Sequence, residues 1–297
     1  MKLQMALAAG VLAACASGVA AQAPSLSEIL AKSPASDWRA LDPNNTLYME
    51  MPGGRVVIEL SPDFSPRHVA NVRALAHADY WDGAAIVRVQ DDYVVQWSRA
   101  EGDQHDLGTA AARIAVPEYD RPVGDLPFTR LPDPDSYAPE TGFTHGFPAG
   151  RDGHGRTWML HCYGVVGVGR DNPPDNGNGT ELYVVIGQSP RHLDRNVAML
   201  GRVVQGMELL SSLRRGTAPM GFYRTPADRT PIRSIRLAAD VPPEQRTDLE
   251  VLRTDSRTFK AVIESRRFRR ESWFVRPTGH INVCNVPLPV RPVPHGG

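Results

Sequence analysis

The stretch Ala85-Ile86-Val87-Arg88-Val89-Gln90-Asp91-Asp92-Tyr93-Val94-Val95-Gln96 sets Arg88 and Gln96 among β-branched and aromatic residues. Val87, Val89, Tyr93, Val94 and Val95 favour extended backbone and Asp91-Asp92 suits a turn, so the stretch reads as two strands. Strict alternation puts Ile86, Arg88 and Gln90 on one face and Val87 and Val89 on the other. Arg88 then faces solvent or lines a semi-polar groove; taken alone, the rarity of buried arginine favours solvent.

Upstream, Thr46 to Met51 and Arg55 to Leu60 flank a Pro52-Gly53-Gly54 turn as a hairpin, with Val56, Ile58 and Leu60 on one face and Arg55, Val57 and Glu59 on the other. Ser65 is a candidate cap and Pro66 a first helical residue for a helix ending near Tyr80, whose apolar stripe is Val69, Val72, Leu75 and Ala76. Downstream, strands are predicted at Tyr163 to Val168, Leu182 to Ile186, Ala198 to Val204 and Pro231 to Ala238, with a short helix from Gln205 to Leu213. Asp103 to His161 is dense in Pro, Gly and Asp and reads as a long loop, packed down by Tyr119, Phe128, Tyr137, Phe143, Phe147 and Trp158. Beyond the boundary at Pro243, Thr247 to Arg270 reads as one charged helix with Leu249, Leu252, Phe259, Val262 and Ile263 at helical spacing. Its Arg266 to Arg270 run suits anionic lipid, although a solvated helix face is the simpler reading.

The 33 basic and 33 acidic residues cancel, which removes the electrostatic footprint of a nucleic-acid binder. With 26 glycines, 26 prolines and 41% hydrophobic residues in 297, the chain has enough apolar material for a barrel-sized domain with loop-rich additions. Residues 1–21 combine Lys2, an apolar run and the small residues Val19-Ala20-Ala21, the pattern of an export signal. Leu12-Ala13-Ala14-Cys15 also matches a lipoprotein signal, so plain secretion and a membrane tether through Cys15 both stay open. Either route ends outside the cytoplasm, most simply in a bacterial periplasm. Past the N-terminus no apolar run is long enough to span a bilayer.

Other chemistries find little support. Gly164, Gly167 and Gly169 lack the spacing and following helix of a dinucleotide fingerprint. His145, His154, His161 and Cys162 have no fixed zinc-ligand spacing, no Gly-x-Ser-x-Gly elbow is present, and Asn178-Gly179-Thr180 reads as a loop. No metal or cofactor is expected.

The central stretch, the hairpin and helix before it, and then Gly164 to Gly169, Gly179 to Ile186, Leu193-Asp194 and Leu200 to Met207 follow one another in an order that resembles the cyclophilin-type peptidyl-prolyl isomerases over roughly residues 44 to 240. The resemblance implies a closed antiparallel β-barrel capped by two helices, here with a long loop insertion. It divides the chain into a signal at 1–21, a linker at 22–43, the barrel domain at 44–240 and a C-terminal helical extension at 241–297. It also implies prolyl isomerisation of unfolded or extended proline-containing polypeptides, here exported ones. Arg88 and Gln96 are then the catalytic pair, Tyr93, Val168, Tyr183, Leu193 and Leu200 the proline pocket, and Gly169 and Arg170 the border of the peptide.

Rotation about an X-Pro bond breaks no bond and transfers no proton; the obstacle is amide resonance, with a barrier of about 20 kcal/mol. Twisting frees the prolyl nitrogen lone pair, so a fixed guanidinium gains an acceptor only near the transition state. Departures from the family pattern touch substrate contacts: Glu181 replaces a glutamine, His192 the aromatic before Leu-Asp, Tyr183 the pocket phenylalanine and Val197 the pocket histidine, while Trp97 to Ala100 displace a Gly-Gly-Asp turn. These changes, Glu181 above all, leave a non-catalytic prolyl-peptide-binding chaperone as the alternative. With Cys15 cleaved away or acylated, Cys162 and Cys284 remain, and an oxidising compartment favours a disulfide between them.

Overall fold

The computed structural model describes residues 24–103, 105–188 and 190–294; the expected export signal and Cys15 lie outside the described residues. In chain order the first elements are α1 (Leu26–Ala31), β1 (Trp38–Ala40), β2 (Thr46–Met51), β3 (Gly54–Leu60), α2 (Pro66–His77), β4 (Ala85–Val89) and β5 (Val94–Ser98). Then come β6 (Arg121–Pro122), β7 (Thr129–Arg130), β8 (Glu140–Thr144), β9 (Phe147–Arg151) and β10 (Arg156–Met159). The chain continues through β11 (Val165–Val168), β12 (Leu182–Val185), β13 (Met199–Gln205), α3 (Met207–Ser211), β14 (Thr230–Pro231) and β15 (Ser234–Leu237). It finishes with β16 (Leu249–Leu252), α4 (Arg257–Arg267) and β17 (Val290–Pro292).

Nine strands form one curled antiparallel sheet in the order β14-β4-β5-β12-β11-β13-β3-β2-β15. Alternation in the β2–β3 hairpin sends Leu47, Met49, Met51, Val56, Ile58 and Leu60 into the barrel interior, where Val69, Val72, Leu75 and Ala76 of α2 meet them. The expected barrel is not fully closed. Its two edges meet through one segment: Thr230 and Pro231 pair with β4, Ser234 to Leu237 pair with β2, and no ladder joins β4 to β2 directly. Ile232 donates its N–H to Ala84 and Arg233 to Glu50, at 2.9 and 2.8 Å. Pro231 carries no N–H, so a continuous ladder at this seam would lack a donor.

Ser65 does not cap α2. Its hydroxyl donates to the Met199 carbonyl at 2.6 Å, and Glu118 accepts instead from the N–H groups of Arg67 and His68 and pairs with His68 Nδ1 at 2.8 Å. Burial pushes the Glu118 carboxyl up, but these hydrogen bonds outweigh it and hold the group below its ordinary range.

The expected loop from Asp103 to His161 contains a five-stranded antiparallel sheet, β6-β10-β9-β8-β7. Strands of two to five residues with internal Pro and Gly carry almost no periodic signal. The β8–β9 turn is His145-Gly146, both at positive φ, as a two-residue hairpin requires. The extension also differs from expectation: Leu249–Leu252 is a strand between β1 and β17, and the helix begins only after Ser256, whose hydroxyl caps Phe259 at 3.0 Å.

Insertion, N-terminal segment and extension share a second core, with Trp38, Phe143, Phe147, Trp158, Leu252, Phe259 and Val262 all buried in it. Residues expected as a linker are thus built into the fold. Cys162 and Cys284 are joined in this core, Cα to Cα 4.9 Å, across 122 residues of sequence.

Candidate active site

The β4–β5 pairing decides where Arg88 points. Ile86 stands opposite Trp97 and Arg88 opposite Gln96, so Val87 is an extra residue, a β-bulge. Ile86 and Val89 therefore both enter the barrel core, while Arg88 turns to the outer face beside Gln96. Simple alternation, which put Ile86 and Arg88 on one face, fails here. A second bulge acts at Leu200: Val166 pairs with Gly201 and Gly167 with Met199, leaving Leu200 unpaired and fully buried inside the barrel. Leu200 is accordingly absent from the groove where it was expected.

β5 pairs with β12 and β12 with β11, setting Gln96, Tyr183 and Gly167 side by side across three strands. A Cβ on Gly167 would lie 2.5 Å from the Tyr183 ring, so glycine is what lets that ring lie over β11. The result is an open cavity of about 360 Å³, lined by Arg88, Gln96, Tyr93, Val168, Gly169, Arg170, Glu181, Tyr183 and Leu193. Val94, Asp171, Asn172 and Val197 complete the lining. Val94 reads in sequence as an ordinary strand aliphatic, and the two polar residues lie in a loop without a motif. His192 stays at the rim, stacked on Tyr93 with ring centroids 6.4 Å apart.

Arg88 is half-buried and held on several sides. Its Nη1 donates to Gln96 Oε1 at 3.0 Å, its Nη2 to Gln90 Oε1, and its Nε to the Met220 carbonyl at 2.6 Å. The guanidinium also lies over the rings of Phe222 and Tyr93, at 5.3 and 5.5 Å. Nothing in the sequence marked Met220 or Phe222 as a contributor. Burial pulls the Arg88 pKa down, while Tyr93 and Glu181 oppose the shift; an arginine keeps its charge under such perturbation. The Gln96 amide donates to Glu181 Oε1, and burial raises the Glu181 pKa despite that bond.

Behind the pocket, the Tyr183 hydroxyl meets His161 Nε2 at 3.0 Å and His161 Nδ1 meets Asp194 at 3.0 Å. Arg191 donates to Asp194 at 2.6 Å and to Asp135 of the insertion at 2.9 and 2.8 Å. Burial lowers the His161 pKa and raises that of Tyr183, so both stay neutral; burial also opposes ionisation of Asp194, but His161 and Arg191 hold its carboxyl down. His161, considered above as a metal ligand, is thus part of a chain fixing the pocket's aromatic wall.

The chemistry available follows from this arrangement. Tyr93, Val94, Tyr183 and Leu193 offer apolar surface to a ring entering the cavity, and the guanidinium beside them is a fixed cationic donor for a lone pair brought within its reach.

A family profile described as "Cyclophilin type peptidyl-prolyl cis-trans isomerase/CLD" matches residues 46–237. A probable peptidyl-prolyl cis-trans isomerase of Brucella suis is 26% identical over 188 residues, covering 63% of this chain and 81% of the relative. A peptidyl-prolyl cis-trans isomerase of Schizosaccharomyces pombe is 24% identical over 184 residues, covering 62% and 90%. Among solved structures, the cyclophilin AquaCyp293 from Hirschia baltica superposes with a TM-score of 0.67 at 24% identity, over 90% of this chain and 97% of that one. The last match establishes likeness of fold and extends beyond the residues of the family profile.

Proposed function

The chain belongs to the cyclophilin-type peptidyl-prolyl cis-trans isomerase family, and from that premise we propose that its groove isomerises X-Pro bonds in extended segments of exported proteins, with Arg88 as the transition-state donor. The observation that carries this reading is the restrained, half-buried Arg88 guanidinium in a cavity of about 360 Å³ that has Tyr93, Val94, Tyr183 and Leu193 as apolar lining among its polar groups. A 10⁵-fold acceleration needs about 7 kcal/mol, and one hydrogen bond to a charged group supplies roughly 1.5 to 3 kcal/mol. Arg88 therefore acts with the pocket, which strips water from the dipolar planar amide. Gln96 positions the substrate backbone, and Gly169 and Arg170 flank the strand-like peptide.

Export is supported by the Lys2-to-Ala21 signal pattern and by the joined Cys162 and Cys284. Mass spectrometry of the mature N-terminus distinguishes cleavage after Ala21 from acylation of Cys15. One feature favours a peptide-binding module without turnover: the Gln96 amide is already engaged by Glu181. A protease-coupled assay on a short X-Pro peptide separates the two readings. Catalysed exchange by the folded chain is the expected result, and peptide binding without acceleration would overturn it.

A further inference from the structure

The run Arg266 to Arg270 is divided by the fold. Arg267 is held by Asp133 and Glu264, each at 2.7 Å, and Arg266 by Glu271 at 2.9 Å. Arg269, Arg270 and Arg276 have no carboxylate partner among the described residues. Beside them, large apolar side chains point into solvent: Trp273 is 81% exposed, Val275 91% and Phe268 38%. The ring of Phe274 packs edge-on against Trp273 at 4.9 Å and under the Arg269 guanidinium at 5.1 Å, which ties the cations to the aromatic tip. At the base of this projection is a cavity of about 450 Å³ lined by Arg266, Arg269, Thr278, His280, Asn282 and Asn285, with no carboxylate in its wall.

Exposed apolar tips rimmed by cations are costly in water and fit one environment well, the interface of an anionic bilayer, where tryptophan settles at headgroup depth and arginine meets phosphate. We infer that residues 268–280 dock this protein on anionic phospholipid, with Trp273 and Val275 entering the interfacial layer and the Arg269-His280 cavity receiving a lipid phosphate. The cavity shares no residue with the catalytic groove.

The molecule carries its own reporter. Of the five tryptophans, Trp38, Trp81, Trp97 and Trp158 are buried and Trp273 alone is exposed. The test uses the full chain carrying Cys15→Ser, which removes any acyl anchor, with vesicles of phosphatidylglycerol and phosphatidylcholine or of phosphatidylcholine alone. Co-sedimentation and a blue shift of tryptophan emission are expected with the anionic vesicles, weakening as salt rises. Neutralising Arg269, Arg270 and Arg276 to glutamine should lower partitioning by about 10²-fold, at about fivefold per arginine. Trp273→Ser with Val275→Ser should lower it about tenfold or more. Both variants should keep wild-type isomerase rates, the control for folding. The inference is overturned by failure to bind anionic vesicles at low salt, or by unchanged binding in both variants. It is equally overturned by the same spectral shift with inorganic phosphate alone, or by a dimer that Trp273→Ser dissolves, which would make a second copy the occupant.

Discussion

Glu181 stands where the family's usual glutamine could both donate and accept, and its carboxylate instead takes the Gln96 amide. With Asp171 in the same lining, it should favour substrates with a basic residue beside proline. Matched peptides with Lys, Ala or Glu at that position check this at low salt, and Glu181→Gln should erase the preference. The same substitution keeps an acceptor for the Gln96 amide and adds an amide donor to the groove, and should raise efficiency on the uncharged peptide two- to tenfold, the worth of one hydrogen bond of about 0.5–1.5 kcal/mol. Its stability effect has a definite sign. Burial raises the Glu181 pKa above 4.5, so the folded chain holds that proton more tightly than the unfolded one. Stability from this group is full below that value and is lost as pH rises through the raised folded pKa. Denaturant unfolding at pH 4 and pH 8 should therefore show Glu181→Gln gaining on wild type at the higher pH. At this scale the resemblance to the family pointed to Arg88, Gln96 and nine contacts, of which Arg88, Gln96 and seven contacts line the groove. Side-chain direction was not legible, because bulges at Val87 and Leu200 each reverse the period-2 pattern that sequence offers.

Among the elements, β12 has the most exacting surroundings, since Tyr183 must lie over Gly167 in front and bond His161 behind. Tyr183→Phe keeps the ring but leaves His161 Nε2 without a partner at a fully buried position. The expected cost is about 1–3 kcal/mol by chemical denaturation, with isomerase efficiency falling less than tenfold because the pocket wall survives. A loss of activity as large as that from removing a catalytic group would mean that the hydroxyl itself works on substrate. Strands with uninterrupted aliphatic patterns, such as β2, β3 and β13, could be placed from sequence almost to the residue. β16 could not: Leu249 and Leu252 also fit helical spacing, and only pairing with β1 and β17 selects the strand. The insertion strands were hidden for the opposite reason, being too short to show any period.

For the whole molecule, the second core packs the insertion together with the described N-terminal segment from Leu26 and the C-terminal extension as far as Leu288. The Cys162–Cys284 link closes it across 122 residues. Cys284→Ser should cost about 2–4 kcal/mol, and hydrogen exchange should find β16, α4 and the insertion sheet opening before the barrel strands. Uniform loss of protection would mean that the link supports both cores equally. That second core was illegible in sequence because its parts come from three separated segments with strands too short to show a period. The longer barrel strands each carry a readable apolar pattern, although only three of the eight barrel pairings join consecutive strands. All of these parts surround a groove in which Arg88 is the proposed transition-state donor. The most direct measurement is the protease-coupled isomerisation rate of Arg88→Ala against wild type on the same X-Pro peptide, with near-ultraviolet circular dichroism confirming the fold. A fall of about 10²-fold or more in kcat/KM is the result expected when a preorganised transition-state donor is removed; a folded Arg88→Ala that isomerises the peptide as fast as wild type would contradict it.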